Sequence, residues 1–515
     1  QEQFSSGGER KKTKTLFTLL LAGAVLTSCG GAKEGTDGGK NETNTAERPF
    51  TVAMATEIDS LDPFSATAGD TKTVMDQIFD GLLDVDEDGN LVPDLAESYE
   101  ISDDGLTYTF KLKEGVKFHD GSDFSADDVY YTYDKLAGLS SGEPMSSKFA
   151  AIKEMEVVSP TEITMTLDKV NNSFIYLQNQ PILKKDYEDN QTKPLGTGPY
   201  KFVSYTPGEG MAMERFDDYH RKDHIAKIKK VNVVRVADNQ ALVMALNNKE
   251  VDLASKLTAD ELDQVIESTD SYSHPQNLVQ LLGLNNEVKP FDDIRVRQAI
   301  AHAIDKDELI EAVAGDKATK IYSSFSPALK DYYNDLEEMY PTDVKKAKEL
   351  LAEAGYPDGI SFKMTVPSDY KFHMDTAELI QAQLKKAGIN ATIDPIEFST
   401  WLDRVYKERD YETTIAGFIG YTDPIRVLDR YVSTSDKDYL NYVSEDYDAA
   451  IEASQQTMDR DELIKNIKDA QEVITKDCAA VFLQDPNDNI VLNNEYTGLK
   501  TYPVQKLNLE DIAGK

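Results

Sequence analysis

Ser102-Asp103-Asp104-Gly105-Leu106-Thr107-Tyr108-Thr109-Phe110-Lys111-Leu112 is the stretch whose reading decides the fold. Asp103-Asp104-Gly105 has the chemistry of a tight turn. Tyr108, Phe110 and Leu112 then alternate with polar residues, the period of a half-buried strand. Downstream, His119-Asp120-Gly121 supplies a second turn, after which Ser125 is placed to cap a helix that starts at Ala126. Turn, strand, turn and capped helix build a scaffold, and His119 reads as a turn residue, not a ligand.

The same patterns recur outward from this segment. Phe50, Val52 and Met54 alternate with the small residues Thr51, Ala53 and Ala55 as a first strand, and Val157-Val158 and Ile163-Met165-Leu167 flank a turn at Ser159-Pro160. Residues 232–236 predict another strand. Pro341-Thr342-Asp343 caps an amphipathic run through Leu350 and Leu351 that stops at Gly355 and Pro357, and residues 377–386 repeat the arrangement. Strands and helices alternate with no internal repeat, so the class is mixed α/β.

The chain has 515 residues with 92 acids against 55 bases, a formal charge of −37. Such a surface repels phosphate backbones, which excludes a nucleic-acid partner. Two cysteines, Cys29 and Cys478, make no disulfide framework. Arg10, Lys11, Lys12 and Lys14 precede the apolar run Leu16–Leu26, too short to span a bilayer and built like a secretory signal. Leu26-Thr27-Ser28-Cys29 resembles the lipobox of bacterial lipoproteins, which implies an acylated Cys29. Residues 1–29 are expected to be a lipoprotein signal peptide, and residues 30–49, almost without apolar side chains, a flexible tether. The missing initiator Met predicts a misplaced start or a truncated sequence. The expected location is extracytoplasmic, anchored to the cell membrane by lipid alone.

Several local patterns are weak. Gly138-Leu139-Ser140-Ser141-Gly142 fits a nucleophile elbow, but the preceding segment reads as helix instead of buried strand. Asp84, Asp86, Asp88 and Gly89 begin like a calcium loop, yet its twelfth position is Leu95, so a hairpin turn is expected. Pro199 denies Gly196-Thr197-Gly198 a donor that a phosphate cradle needs. His220 and His224 stand four apart in a stretch that reads as solvated. No catalytic triad or zinc-type set is found, so neither catalysis nor a metal or other cofactor is expected.

Longer landmarks carry a resemblance. Ser60-Leu61-Asp62-Pro63, Ile78-Phe79-Asp80-Gly81-Leu82-Leu83, residues 95–110, residues 116–121 and Gly196-Thr197-Gly198-Pro199-Tyr200 come in order. Residues 290–300, Leu351-Ala352-Glu353-Ala354-Gly355-Tyr356 and Asp423-Pro424 follow. Together they resemble the family 5 solute-binding proteins of bacterial ABC importers, the oligopeptide, dipeptide and nickel receptors. The resemblance implies a two-lobed, periplasmic-binding-protein type II-like α/β fold with a hinge and an extra domain nested in lobe one. Lobe one would take residues 50–74, 191–283 and 481–512, the nested domain 75–190 and lobe two 284–480, with crossings near Leu284 and Ala480.

It also implies a monomer that delivers a small peptide or peptide-like solute to an ABC permease and ATPase complex. A nickel or metal-chelate receptor and a peptide-signal receptor are the alternatives. Ligand contacts carry over to Thr67, Ala68 and Gly69, to Ser255 and Lys256, and to Phe418, Ile419, Gly420 and Tyr421. Peptide-binding members usually place an Asp three residues before the Asp-Pro pair, where it holds the ligand's α-amine. This chain has Gly420 there, which predicts that Lys256 favours a ligand carboxylate over an amine.

Overall fold

The computed structural model describes residues 48–66, 68–265, 268–336 and 339–515; the signal-like segment, Cys29 and Thr67 lie outside them. A twelve-stranded mixed sheet runs through this body. In its first half Phe50–Met54 lies parallel to Lys230–Arg235 and to Leu253–Ala254. Antiparallel Gly210–Arg215 and Tyr200–Thr206 extend that edge. In the second half Ile360–Pro367 lies parallel to Ile389–Ile396 and to Thr413–Ile419, with Leu278–Leu284 antiparallel to the last.

One 14-residue strand, Ala480–Asn493, joins the halves. Its start pairs with Leu278–Leu284, Ala480 opposite Gly283; its end pairs with Thr269–Pro275, Asn493 opposite Thr269. Two chain passages therefore cross side by side, at residues 276–277 and 484–487. Asn277 adopts φ 61°, a left-handed conformation that ends one strand and begins the next. Pro486 removes a ladder donor at the same level. Leu284 and Ala480 lie deeper in the second half than this crossing.

Each half has its own core. Phe50, Ile78, Tyr200 and Leu492 pack in the first. Leu282, Phe291, Met364 and Leu483 form one cluster of the second, and Trp401, Tyr439 and Phe482 another. Each such side chain contributes about 1.5–3 kcal/mol on burial, so each half is held from within while few residues join them.

Between the first strand and Tyr200–Thr206 an insertion builds a separate antiparallel sheet. Its order is Ala96–Ile101, Thr107–Leu112, Glu162–Leu167, Ile152–Ser159. Tyr108, Phe110 and Leu112 are buried, as their alternation requires. Gly105 supplies the turn with φ 70°. Helix Ala126–Ala137 opens on a reciprocal capping box between Ser125 and Asp128, a feature that stabilises by about 1 kcal/mol. It closes on Gly138, and Ser140 there is tied to the Asp134 carboxylate through its backbone and hydroxyl. The elbow-like pattern is thus a helix C-cap. Residues 86–90 form the expected hairpin turn between Leu83–Val85 and Leu91–Pro93.

Candidate functional site

Parallel strands direct their C-terminal ends, and the loops that follow them, towards a common crevice. The loop after Phe50–Met54 runs to Gly69, the loop after Leu253–Ala254 carries Ser255 and Lys256, and Thr413–Ile419 ends beside Gly420 and Tyr421. These loops meet at the boundary between the halves, where two cavities open.

The first cavity, of about 630 Å³, takes its walls from three parts of the chain. Gly69, Lys72 and Asp76 come from the first half, Met145, Lys148 and Tyr176 from the insertion, and Ile419, Gly420, Tyr421 and Arg426 from the second half. Helix Pro424–Leu428 is nucleated by Asp423, whose carboxylate accepts from the Ile425 and Arg426 amides at 3.0 and 3.3 Å. That cap turns Arg426 back over the Tyr421 ring, 3.8 Å from its centroid.

The second cavity, about 570 Å³, is aromatic. Tyr370, Phe398, Trp401, Tyr406 and Phe418 line it from one side, Lys256 and Asn489 from the other. Trp401 is fixed by its Nε1, which donates to Thr414 Oγ1 at 2.9 Å. His373 lines the same wall; burial holds its imidazole down at about 4, so it is neutral and bonded through Nδ1 to Gln280 Nε2 at 2.8 Å. Both volumes suit a small-molecule ligand.

The residues expected from sequence distribute as follows. Gly69, Gly420 and Tyr421 line the first cavity, Lys256 and Phe418 the second, and Ile419 both. Ala68 caps helix Gly69–Met75 and Ser255 precedes Lys256; neither lines either of these two cavities. The ammonium of Lys256 lies 2.8 Å from Asp70. Burial raises the Asp70 carboxyl, but Lys256 and Thr56 outweigh it and hold it below its ordinary value. The charge of Lys256 is thus answered from within the fold. Asn277, Lys72, Lys148 and Arg426 carried no motif and were not expected at the site.

The stretch around His220 is solvated at Asp217, Asp218, Lys222 and Asp223, as expected, but His220 itself turns inward. The His220 side chain is buried, with Nε2 3.1 Å from Asp80 and 3.4 Å from Asp94. Ligand atoms of the three lie within 4.8 Å of one another, so they are the group among the described residues that could hold a cation. Burial would raise Asp80, but His220 brings it below its ordinary value; burial and then the Asp80 charge push Asp94 well above. An imidazole set between one carboxyl held low and one pushed up accounts for these opposite shifts without an ion. His224 instead pairs with Asp511 at 2.8 Å.

Comparison with known proteins places this geometry. Residues 90–439 match the model for bacterial extracellular solute-binding proteins, family 5. The glutathione-binding protein GsiB of Pectobacterium atrosepticum is 28% identical over 487 residues, covering 90% of this chain and 94% of its own. The ABC transporter substrate-binding protein CtaP of Listeria monocytogenes has a similar structure, with TM-score 0.81 at 27% identity, covering 91% of this chain and 99% of that one. The periplasmic binding protein DppA of Helicobacter pylori, in complex with the peptide STSA, gives 0.71 at 28% identity, covering 91% and 98%. Among the described residues no helix is long and apolar enough to cross a membrane. The fold is thus shared with these relatives, and the chain belongs to the bacterial extracellular solute-binding proteins of family 5, the substrate-binding components of ABC transporters.

Proposed function

We propose that the protein is a monomeric, lipid-anchored receptor that captures a short peptide or peptide-like solute between its halves and hands it to a membrane permease, catalysing no reaction. The observation that supports this most is the crevice itself. Three strand-end loops and an aromatic wall surround two adjoining cavities that share Ile419. Relatives along nearly the whole chain are named for binding glutathione or were solved with a peptide. Of the six histidines only His373 lines either cavity, and its Nδ1 is already bonded to Gln280, so a site for free nickel has less support.

The lobes and nested domain follow the order expected from sequence, but with the hinge at residues 276–277 and 484–487 instead of near Leu284 and Ala480. Rotation there brings the halves together with few backbone changes, and a ligand that contacts both halves shifts the population towards closure. Lipid on Cys29 keeps this body at the membrane surface. Native mass spectrometry of freshly purified protein, followed by fragmentation of the released ligand, tests the reading. Peptide or isopeptide fragments are expected; a metal ion or chelate would replace the peptide reading with the nickel one.

A further inference from the structure

Lys72, Lys148 and Arg426 line the first cavity from its three walls, the first half, the insertion and the second half. None of the three has an ion-pair partner among the described residues. The acids of the same cavity are otherwise engaged. Asp84 pairs with Lys506 and Arg221. Asp80 and Asp94 close on His220, and Asp423 caps its helix. Desolvation by the protein around them pushes Glu510, which is buried, and Asp76, which keeps an open face to solvent, up to about 7. In a chain of net charge −37, three cations without an ion pair line one space while the acids beside them are paired, shared or half-protonated. Burial, and then the charges of Arg426 and Lys72, lower the Lys148 ammonium, so both cations lie within electrostatic reach of Lys148.

We infer that the solute is anionic overall: a peptide-like molecule with at least one carboxylate beyond the one that balances its amine, that extra carboxylate seated between Lys72, Lys148 and Arg426. This rests on the reading of the chain as a receptor for peptide-like solutes and names the class that the same crevice selects. An anion reaching this space neutralises the repulsion among the three cations. Because Arg426 belongs to the second half and Lys72 to the first, it also draws the halves together. Asp76 stands one helical turn from Lys72 and lines the same cavity, available to the ligand's amine when ionised.

The test is capture from two matched libraries of tripeptides, one with Glu or Asp at a varied position and the other with Gln or Asn, read by native mass spectrometry on the intact protein. The acidic library is expected to be captured at least about tenfold more strongly, the worth of one charge-assisted contact. That preference should fall to near unity in Lys148→Ala and Lys72→Ala and return in Lys148→Arg. Both lysines are exposed, so these variants should fold. Capture of both libraries without preference, or a preference unmoved by either alanine variant, overturns the anion inference and leaves the peptide reading standing. Capture of neither library overturns the peptide reading, and the inference falls with it.

Discussion

The carboxamide of Asn277 stands where a side chain at Gly420 would begin, and the Asn277 carbonyl accepts the Gly420 N–H. The residue that replaces the usual amine-binding Asp is thus part of a packed contact between the crossing and the crevice wall. Asn277 also donates through Nδ2 to the Tyr421 carbonyl at 3.4 Å.

Gly420→Asp should therefore fail to create an amine anchor. The new Cβ collides with Asn277, and overpacking of this kind costs about 1–3 kcal/mol, so a lower melting temperature is expected with no gain in affinity for peptides bearing a free amine. Asn277→Gly keeps the left-handed backbone and opens the space, so the double variant should recover part of the lost stability. A single variant that melts like the parent and binds free-amine peptides more tightly than acetylated ones would show that the space is open.

Ile419 is 65% exposed although apolar, and it projects where the two cavities meet. Covering such a side chain with ligand contributes about 1.5–3 kcal/mol, or roughly ten- to a hundredfold in affinity. Ile419→Asp is expected to lose affinity of that order for the copurified ligand. Its stability should change by no more than about 0.5 kcal/mol, as for other exposed sites. Calorimetry and thermal melting together separate the two effects; unchanged affinity would place the ligand away from this junction.

Local chemistry explains how much was legible before the structure. Gly105, the Tyr108/Phe110/Leu112 alternation and the Ser125 cap each depend on residues a few positions apart, so their pattern was readable. Asp343 capping Val344–Glu353 was readable for the same reason. The joining strand was not. Its middle, Asp485-Pro486-Asn487-Asp488-Asn489, has turn composition, and it is extended because strands some two hundred residues earlier pair with it. Likewise Gly420 could be noticed from spacing, but Asn277 filling its space lies 143 positions away by sequence number, and no local pattern marks it. His220 was misjudged because its charged neighbours face outward while its own ring turns inward.

Anchoring is tested outside the described residues. Because Leu26-Thr27-Ser28-Cys29 follows an apolar run, Cys29→Ser is expected to move the protein from the membrane fraction to the soluble extracytoplasmic fraction and to abolish palmitate labelling. Equal labelling and membrane retention in the variant would sink the lipoprotein reading while leaving the receptor fold untouched.

The crossing itself has a titratable group. Asp485 is wholly buried beside Pro486 and accepts a hydrogen bond from Ser326 Oγ. Burial pushes its carboxyl up to about 7, whereas in the unfolded chain it titrates near about 3.9. Between about pH 4 and 7 the folded state therefore binds more protons than the unfolded one. Its contribution to stability is fully present below about pH 4, is lost as pH rises through about 7, and stays lost above. Displacing a titration by one pH unit is worth about 1.4 kcal/mol. Asp485→Asn keeps the volume and cannot ionise, so the stability difference, variant minus parent, should climb from pH 4 to 7 and level off above. Other groups raised to about 7, such as Asp438 and Glu510, titrate alike in both proteins and cancel in the difference. Denaturant melts at several pH values measure it, and a difference that stays flat across the window would mean that Asp485 is ionised in the folded protein at every pH tested.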